Sequence, residues 1–151
     1  MLYYFSGIAA AINSKSNPEE ISRICIDCKA DLIVVEDEPQ LKKILLIQHK
    51  LPELKALVMM SGEPSMSDSR RLYKSHKRHI FSWSKLKELG TALPPHRLEE
   101  RLSKIAINHC CALMYTSGSS APAKGVMLSH DNLTWTAKMA LGFIRDPGFS
   151  R

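Results

Sequence analysis

Long apolar runs are absent from the 151 residues, none approaching the ~20 consecutive positions that span a bilayer. Aromatic residues make up only 7%, and 7 glycines with 8 prolines are too few for a collagen-like or mucin-like chain. Four cysteines are too sparse for a disulfide framework. The apolar opening MLYYFSGIAAAI lacks the basic start of a signal peptide. No internal repeat or low-complexity tract occurs. With 44% hydrophobic residues there is enough apolar surface to offset chain entropy, which argues against disorder. These absences predict a cytoplasmic chain, or piece of a chain, of about one domain.

Charge is placed unevenly. The net charge is +6, yet residues 1–60 hold 7 basic and 8 acidic side chains, while residues 61–110 hold 10 and 5. Arg70, Arg71, Lys74, Lys77 and Arg78, with Tyr73, His76 and His79 nearby, form a basic run inside 61–78. Its polar, turn-forming composition predicts a solvated surface loop. The sharper alternative is a patch for nucleic acid or anionic lipid. No RNA-recognition or helix-turn-helix pattern accompanies it, so no specific nucleic acid is expected.

Alternating signals for helix and strand run through residues 1–60. Asn17-Pro18-Glu19-Glu20 supplies a cap, a first-turn proline and a glutamate three residues on, so a helix to about Lys29 follows. On it Ile21, Ile24, Cys25 and Cys28 fall on one face, which reads the cysteines as packing residues ahead of a metal or redox half-site. Leu32–Val35 is a buried strand, Asp37-Glu38-Pro39 opens a second helix, and residues 56–60 form a further strand. The Gly7-to-Asn13 segment is read as another strand. This is an α/β signature with crossover connections. Residues 79–83 read as a strand, followed by a brief helix capped by Ser84. Pro94-Pro95 precedes a helix with Leu98, Leu102 and Ile105 on one face.

The chemistry concentrates between 111 and 128, where strand, loop and strand follow one another before a helix over 129–144. That helix starts at Ser129 or Asp131 and carries Leu133, Ala137, Ala140 and Leu141 on one face. The loop, Thr116-Ser117-Gly118-Ser119-Ser120-Ala121-Pro122-Ala123-Lys124-Gly125, offers hydroxyls, small residues and one mobile cation. Such a loop suits phosphate oxygens. It departs from G-x-x-x-x-G-K-[ST], lacking the second glycine and the Mg²⁺-binding hydroxyl, and so is not an ordinary P-loop.

Tyr115 to Val126 resembles the Y-T-S-G-[ST]-T-G-x-P-K-G-V signature of the AMP-forming, adenylate-forming synthetases. Cys110-Cys111 before the loop, and Met127-Leu128-Ser129-His130-Asp131-Asn132 with Thr134-Trp135 after it, resemble the bubblegum-type long-chain fatty acyl-CoA ligases. Asn17-Pro18-Glu19, residues 30–36 and Gln40-Leu41-x-Lys43-Ile44 add to that likeness. The resemblance implies an α/β fold, an incomplete part of the large N-terminal AMP-binding domain. It implies activation of a fatty acid by Mg²⁺-ATP to an acyl-adenylate, then transfer to CoA, and leaves peripheral attachment to intracellular membranes open. By position Thr116, Ser117, Ser119 and Ser120 would donate to the β- and γ-phosphates. Gly118 and Gly125 would allow close approach, and Lys124 would neutralise the departing pyrophosphate.

Ala121 stands where the family has Gly, and Ala123 where it has Pro. An alanine forced into a left-handed conformation costs ~1–2 kcal/mol. The adenine, ribose and C-terminal motifs of the family are missing from the 151 residues. The expectation is therefore a fragment that is not competent alone. The alternative is a truncated or degenerate copy that binds a partner or an anionic surface.

Overall fold

A computed structural model of the chain describes residues 7–116 and 123–145, with side chains described as far as 142. Two compact units result, one spanning 12–94 and the other built from 1–11 together with 95–151.

The 12–94 unit follows a helix–strand rhythm, each helix opened by a short polar side chain. Asn17 accepts a hydrogen bond from the Glu20 amide at 2.9 Å and starts α1 (Pro18–Asp27). Asp37 accepts from Gln40 at 3.0 Å and starts α2 (Glu38–Ile47), which continues as a 3₁₀ turn over Gln48–Lys50. These bonds satisfy amides that lack intrahelical partners. Strands β2 (Leu32–Val35), β3 (Ala56–Met59) and β4 (His79–Ser82) pair in parallel in the order β2-β3-β4. The register sets Leu32 opposite Ala56 and Ala56 opposite His79.

The hydrophobic core gathers Ile21 and Cys25 of α1, Leu41, Ile44 and Ile47 of α2, and Leu57 and Met59 of β3. The Cys25/Cys28 pair thus sits on a core-facing helix, and burial, then the neighbouring Cys28, pushes the Cys25 thiol up to about 12.

Residues 61–78 depart from the expected polar loop. They contain α3 (Met66–His76), capped by Ser65 accepting from Asp68 at 3.2 Å. Only Leu72 of α3 is buried, at 1% exposure. A single apolar anchor gives no visible period, so the helix is hidden in the sequence. The cap of α4 (Trp83–Thr91) is Ser82, two residues before the expected Ser84. Two helices, α1 and α3, are followed by a left-handed residue that is not glycine. Lys29 and Lys77 take left-handed φ values of 50° and 56°, and after α1 the Ala30 amide reaches Cys25 O at 2.9 Å.

Arg78 of the basic run turns inward. Its guanidinium donates to Gln48 O at 2.6 Å and to Leu51 O, tying the start of β4 to the segment after α2. Its exposure is 8%. A planar fork holding two carbonyls suits arginine and does not suit lysine.

In the other unit β1 (Ala9–Ala11) runs parallel to β5 (Cys110–Thr116), and β5 runs antiparallel to β6 (Lys124–Ser129), in the order β1-β5-β6. Helices α5 (His96–Leu102) and α6 (His130–Arg145) flank this mixed sheet in sequence. The expected apolar face of α5 stays open, with Leu98 and Leu102 both exposed.

Arg78→Met should remove the charged donor from two carbonyls that then keep only a backbone amide each, Leu51 N–H on Gln48 O at 3.2 Å and Leu54 N–H on Leu51 O at 3.4 Å, and lower stability by roughly 1–3 kcal/mol, with Arg78→Lys intermediate, as read by chemical denaturation. Cys25 carries a pH signature. Its thiolate is disfavoured in the folded chain, so its contribution is full below pH 9.0 and is lost as pH rises toward about 12. Unfolding of Cys25→Ala should therefore show a shallower fall in stability over that range than unfolding of the parent chain.

Candidate functional site

Side chains alternate faces along β5, and its first half is sealed: Cys111 and Ala112 are buried. Burial, together with the adjacent Cys110, raises the Cys111 thiol above its ordinary value, and its Sγ donates to Leu128 O at 3.4 Å. Cys110 Sγ donates instead to Ala112 O at 3.5 Å, and a register irregularity lies between Cys110 and Ala112. The doublet therefore anchors the base of the hairpin.

Beyond the doublet the register is regular. Leu113 faces Met127, Met114 faces Val126, Tyr115 faces Gly125 and Thr116 faces Lys124. Opposed residues of an antiparallel pair bring their Cβ atoms to about 4.5–5.5 Å. The Thr116 hydroxyl and the Lys124 ammonium thus leave the sheet side by side, on the face shared with Met114 and Val126. Both residues are exposed, and Lys124 forms no ion pair among the described residues. The candidate residues Ser117, Gly118, Ser119 and Ser120, together with Ala121, lie outside the described residues.

Gly125 has a structural reason of its own. A Cβ placed there would sit 3.1 Å from Cζ of Tyr115 and 3.3 Å from its hydroxyl oxygen. The ring lies across the glycine on the face opposite Lys124. The sequence reading missed this pairing, although Tyr-Thr before the loop and Lys-Gly after it are placed symmetrically about the connection. An aromatic covering a cross-strand glycine is a known device for fixing register.

The far end of β6 is pinned as well. Ser129 and Asn132 bond reciprocally: Ser129 N–H donates to Asn132 Oδ1 at 2.9 Å and Asn132 N–H donates to Ser129 Oγ at 3.2 Å. Of the two expected caps, Ser129 is the one used. The amides of His130 and Asp131 reach His109 O at 3.1 Å and Ile107 O at 2.8 Å. Helix α6 does not bury its apolar face, for Ala137, Ala140 and Leu141 are exposed and Leu133 is half-buried.

A shallow groove of about 250 Å³ is lined by Ile8, Ile105, His109, Cys110 and His130. It lies at the start of β5, some ~20 Å of strand away from Thr116, so it is distinct from the hairpin tip. Among the described residues no group of three or more His, Cys, Asp or Glu side chains could hold a metal. The stretch Cys110–Ser129 contains no Asp or Glu. Its ammonium and hydroxyl donors suit an anion.

A family model described as "AMP-binding enzyme" matches residues 2–149. The chain is 41% identical over 132 residues to the long-chain-fatty-acid–CoA ligase ACSBG1 of Bos taurus, covering 87% of this chain and 17% of that protein. It is 37% identical over 137 residues to the long-chain-fatty-acid–CoA ligase ACSBG2 of Xenopus laevis, covering 91% and 17%. The chain thus spans about a sixth of the length of these relatives. Among solved structures, the anthranilate CoA ligase AuaEII with anthranoyl-AMP superposes with a TM-score of 0.63 at 22% identity, covering 87% of this chain and 22% of that one. The adenylation domain of a carboxylate reductase from Mycobacterium chelonae gives 0.65 at 18%, covering 82% and 20%. The α/β architecture is that of adenylation domains.

Gly125→Ala should displace the Tyr115 ring by a few tenths of an ångström and destabilise the chain by about 1 kcal/mol. In a Tyr115→Leu background the same change should cost measurably less. An equal cost in both backgrounds, measured by thermal unfolding, would remove the packing account.

Proposed function

The chain belongs to the AMP-binding enzyme family, and from that premise we propose that it supplies the triphosphate-holding hairpin of a ligase activating long-chain fatty acids. The overall reaction joins a fatty acid to CoA through an acyl-adenylate. A carboxylate oxygen attacks the α-phosphorus of ATP, the bond to the β-phosphate breaks, and pyrophosphate leaves. The CoA thiol then attacks the acyl carbon, AMP departs, and the thiol proton passes to solvent. Supporting the substrate class are the relatives, whose names describe long-chain-fatty-acid–CoA ligases.

The observation that carries this reading is the direct opposition of Thr116 and Lys124 across β5 and β6. A threonine and a lysine paired in register bracket a seven-residue connection, 117–123, that contains three serines and a glycine. Lys124 faces the place where charge builds on the departing pyrophosphate, and a preorganised cation there stabilises the transition state more than the ground state. Thr116, with Ser117, Ser119 and Ser120, supplies neutral donors, and Gly118 leaves room for the chain to approach phosphate oxygens. Mg²⁺ accompanies ATP as its counterion. With no carboxylate between Cys110 and Ser129, the hairpin assigns no protein ligand to the metal.

Titration of the chain with ATP and with AMP tests the reading. Lys124→Met should weaken ATP roughly 10–100-fold, the loss of one charge-assisted hydrogen bond, while changing AMP affinity little. Far-UV circular dichroism should be unchanged. Equal ATP affinity in parent and variant would remove the hairpin from nucleotide binding.

A further inference from the structure

We propose that the outward face of α3, with the neighbouring strand β4, is a contact surface for an anionic lipid bilayer. The helix has two sides of different character. Leu72 points into the core, while Met66, Arg70, Tyr73, Lys74 and Lys77 follow one another at spacings of four, three, one and three. At 3.6 residues per turn the four positions within α3, Met66, Arg70, Tyr73 and Lys74, fall within an arc of about 100°, and Lys77 follows as the left-handed residue that ends the helix. All are exposed, Met66 at 70% and Tyr73 at 47%.

The charge on this face is uncompensated. No Asp or Glu occurs from Ser69 to Lys87. Arg71, off the stripe, is held by Asp68 at 3.1 Å, and Arg78 is spent inside the unit. Arg70, Lys74 and Lys77 have no ion-pair partner among the described residues. Two cations on one helix face, and a third at the helix end that lies over Tyr73 of that face, give a surface complementary to anionic headgroups.

Apolar and aromatic groups are threaded through those cations. Lys77 Nζ lies 5.1 Å from the Tyr73 ring centroid. Tyr73 lies 5.1 Å from the His79 ring, which stacks on Phe81 at 5.6 Å with 16° between planes. An exposed thioether and a tyrosine among lysines match the headgroup boundary, where an apolar body sits deep and a polar tip stays wet. A nucleic acid is the poorer match. A platform for unstacked bases needs open ring faces, and here Lys77 lies over Tyr73 while His79 and Phe81 cover one another. The exposed Met66 offers a phosphate backbone nothing.

The surface belongs to the 12–94 unit and stands on α3 and β4 alone, so it does not rest on the ligase reading. Flotation of the full chain with phosphatidylcholine vesicles, with and without phosphatidylserine, tests it. Binding should require phosphatidylserine and weaken with salt. Each neutralised cation should cost about fivefold, and the pair Arg70→Gln with Lys74→Gln about twentyfold. Met66→Ser should reduce the binding that survives at high salt. These side chains are exposed, and thermal melting of each variant checks that the fold is kept. Capture independent of phosphatidylserine, or unchanged in the double variant, overturns the proposal. Tighter binding to single-stranded RNA than to vesicles at matched phosphate overturns it in favour of a nucleic acid.

Discussion

The antiparallel register of β5 against β6 is held from both ends, and the rest of the candidate site depends on it. At the base, the buried Cys111 occupies the irregularity in the ladder, and the Ser129–Asn132 pair ties the last residue of β6 to the first turn of α6. Near the tip, the Tyr115 ring lies over Gly125, a fit that no other position of β6 allows because only Gly125 lacks a Cβ. A slip of one residue would place Val126 or Lys124 under the ring and turn every side chain to the other face. The hydroxyl of Thr116 and the amine of Lys124 would then no longer leave the sheet together. Strands, rather than the loop, set where the backbones of these two residues stand.

Some of this was legible in the sequence and some was not, for reasons of range. Asn17 and Asp37 declare their helices because a cap is a contact three residues long. The strands β2 and β3 declare themselves as continuous apolar runs. Helix α3 was hidden because only Leu72 reaches the core, and a period needs more than one mark. Lys77 ends α3 in a left-handed conformation usually given to glycine, so that stop signal was missing, whereas α1 ends close to the expected Lys29. Thr116 and Lys124 were identifiable by motif, but their opposition follows from register, and the parallel pairing of β5 with β1 joins residues about a hundred positions apart.

Amphipathic period places residues on one helix face without saying whether that face is buried. Leu98, Leu102, Ala137 and Leu141 recur at helical spacing, yet all four are exposed. Period reports that a helix could bury one face; it carries no information about what covers that face. The 12–94 unit provides covering elements from its own residues, and there the same kind of pattern, Ile21, Ile24 and Cys25 of α1, is buried.

The basic stretch shows a related limit. Five cations within nine positions look like one feature, but their geometry divides them into three. Arg78 satisfies carbonyls inside the unit, Arg71 pairs with Asp68, and Arg70, Lys74 and Lys77 face outward. Net charge therefore overstates what the surface offers. The two regions with outward cations also differ in kind. At the hairpin strand pairing sets the backbone of one lysine opposite that of one threonine, so the two side chains start from neighbouring points. On α3 and at its end, cations on long flexible stems are spread along about two turns, with Tyr73 between them and Met66 ahead of them. That arrangement answers to the charge density of a surface and is indifferent to the position of any single phosphate.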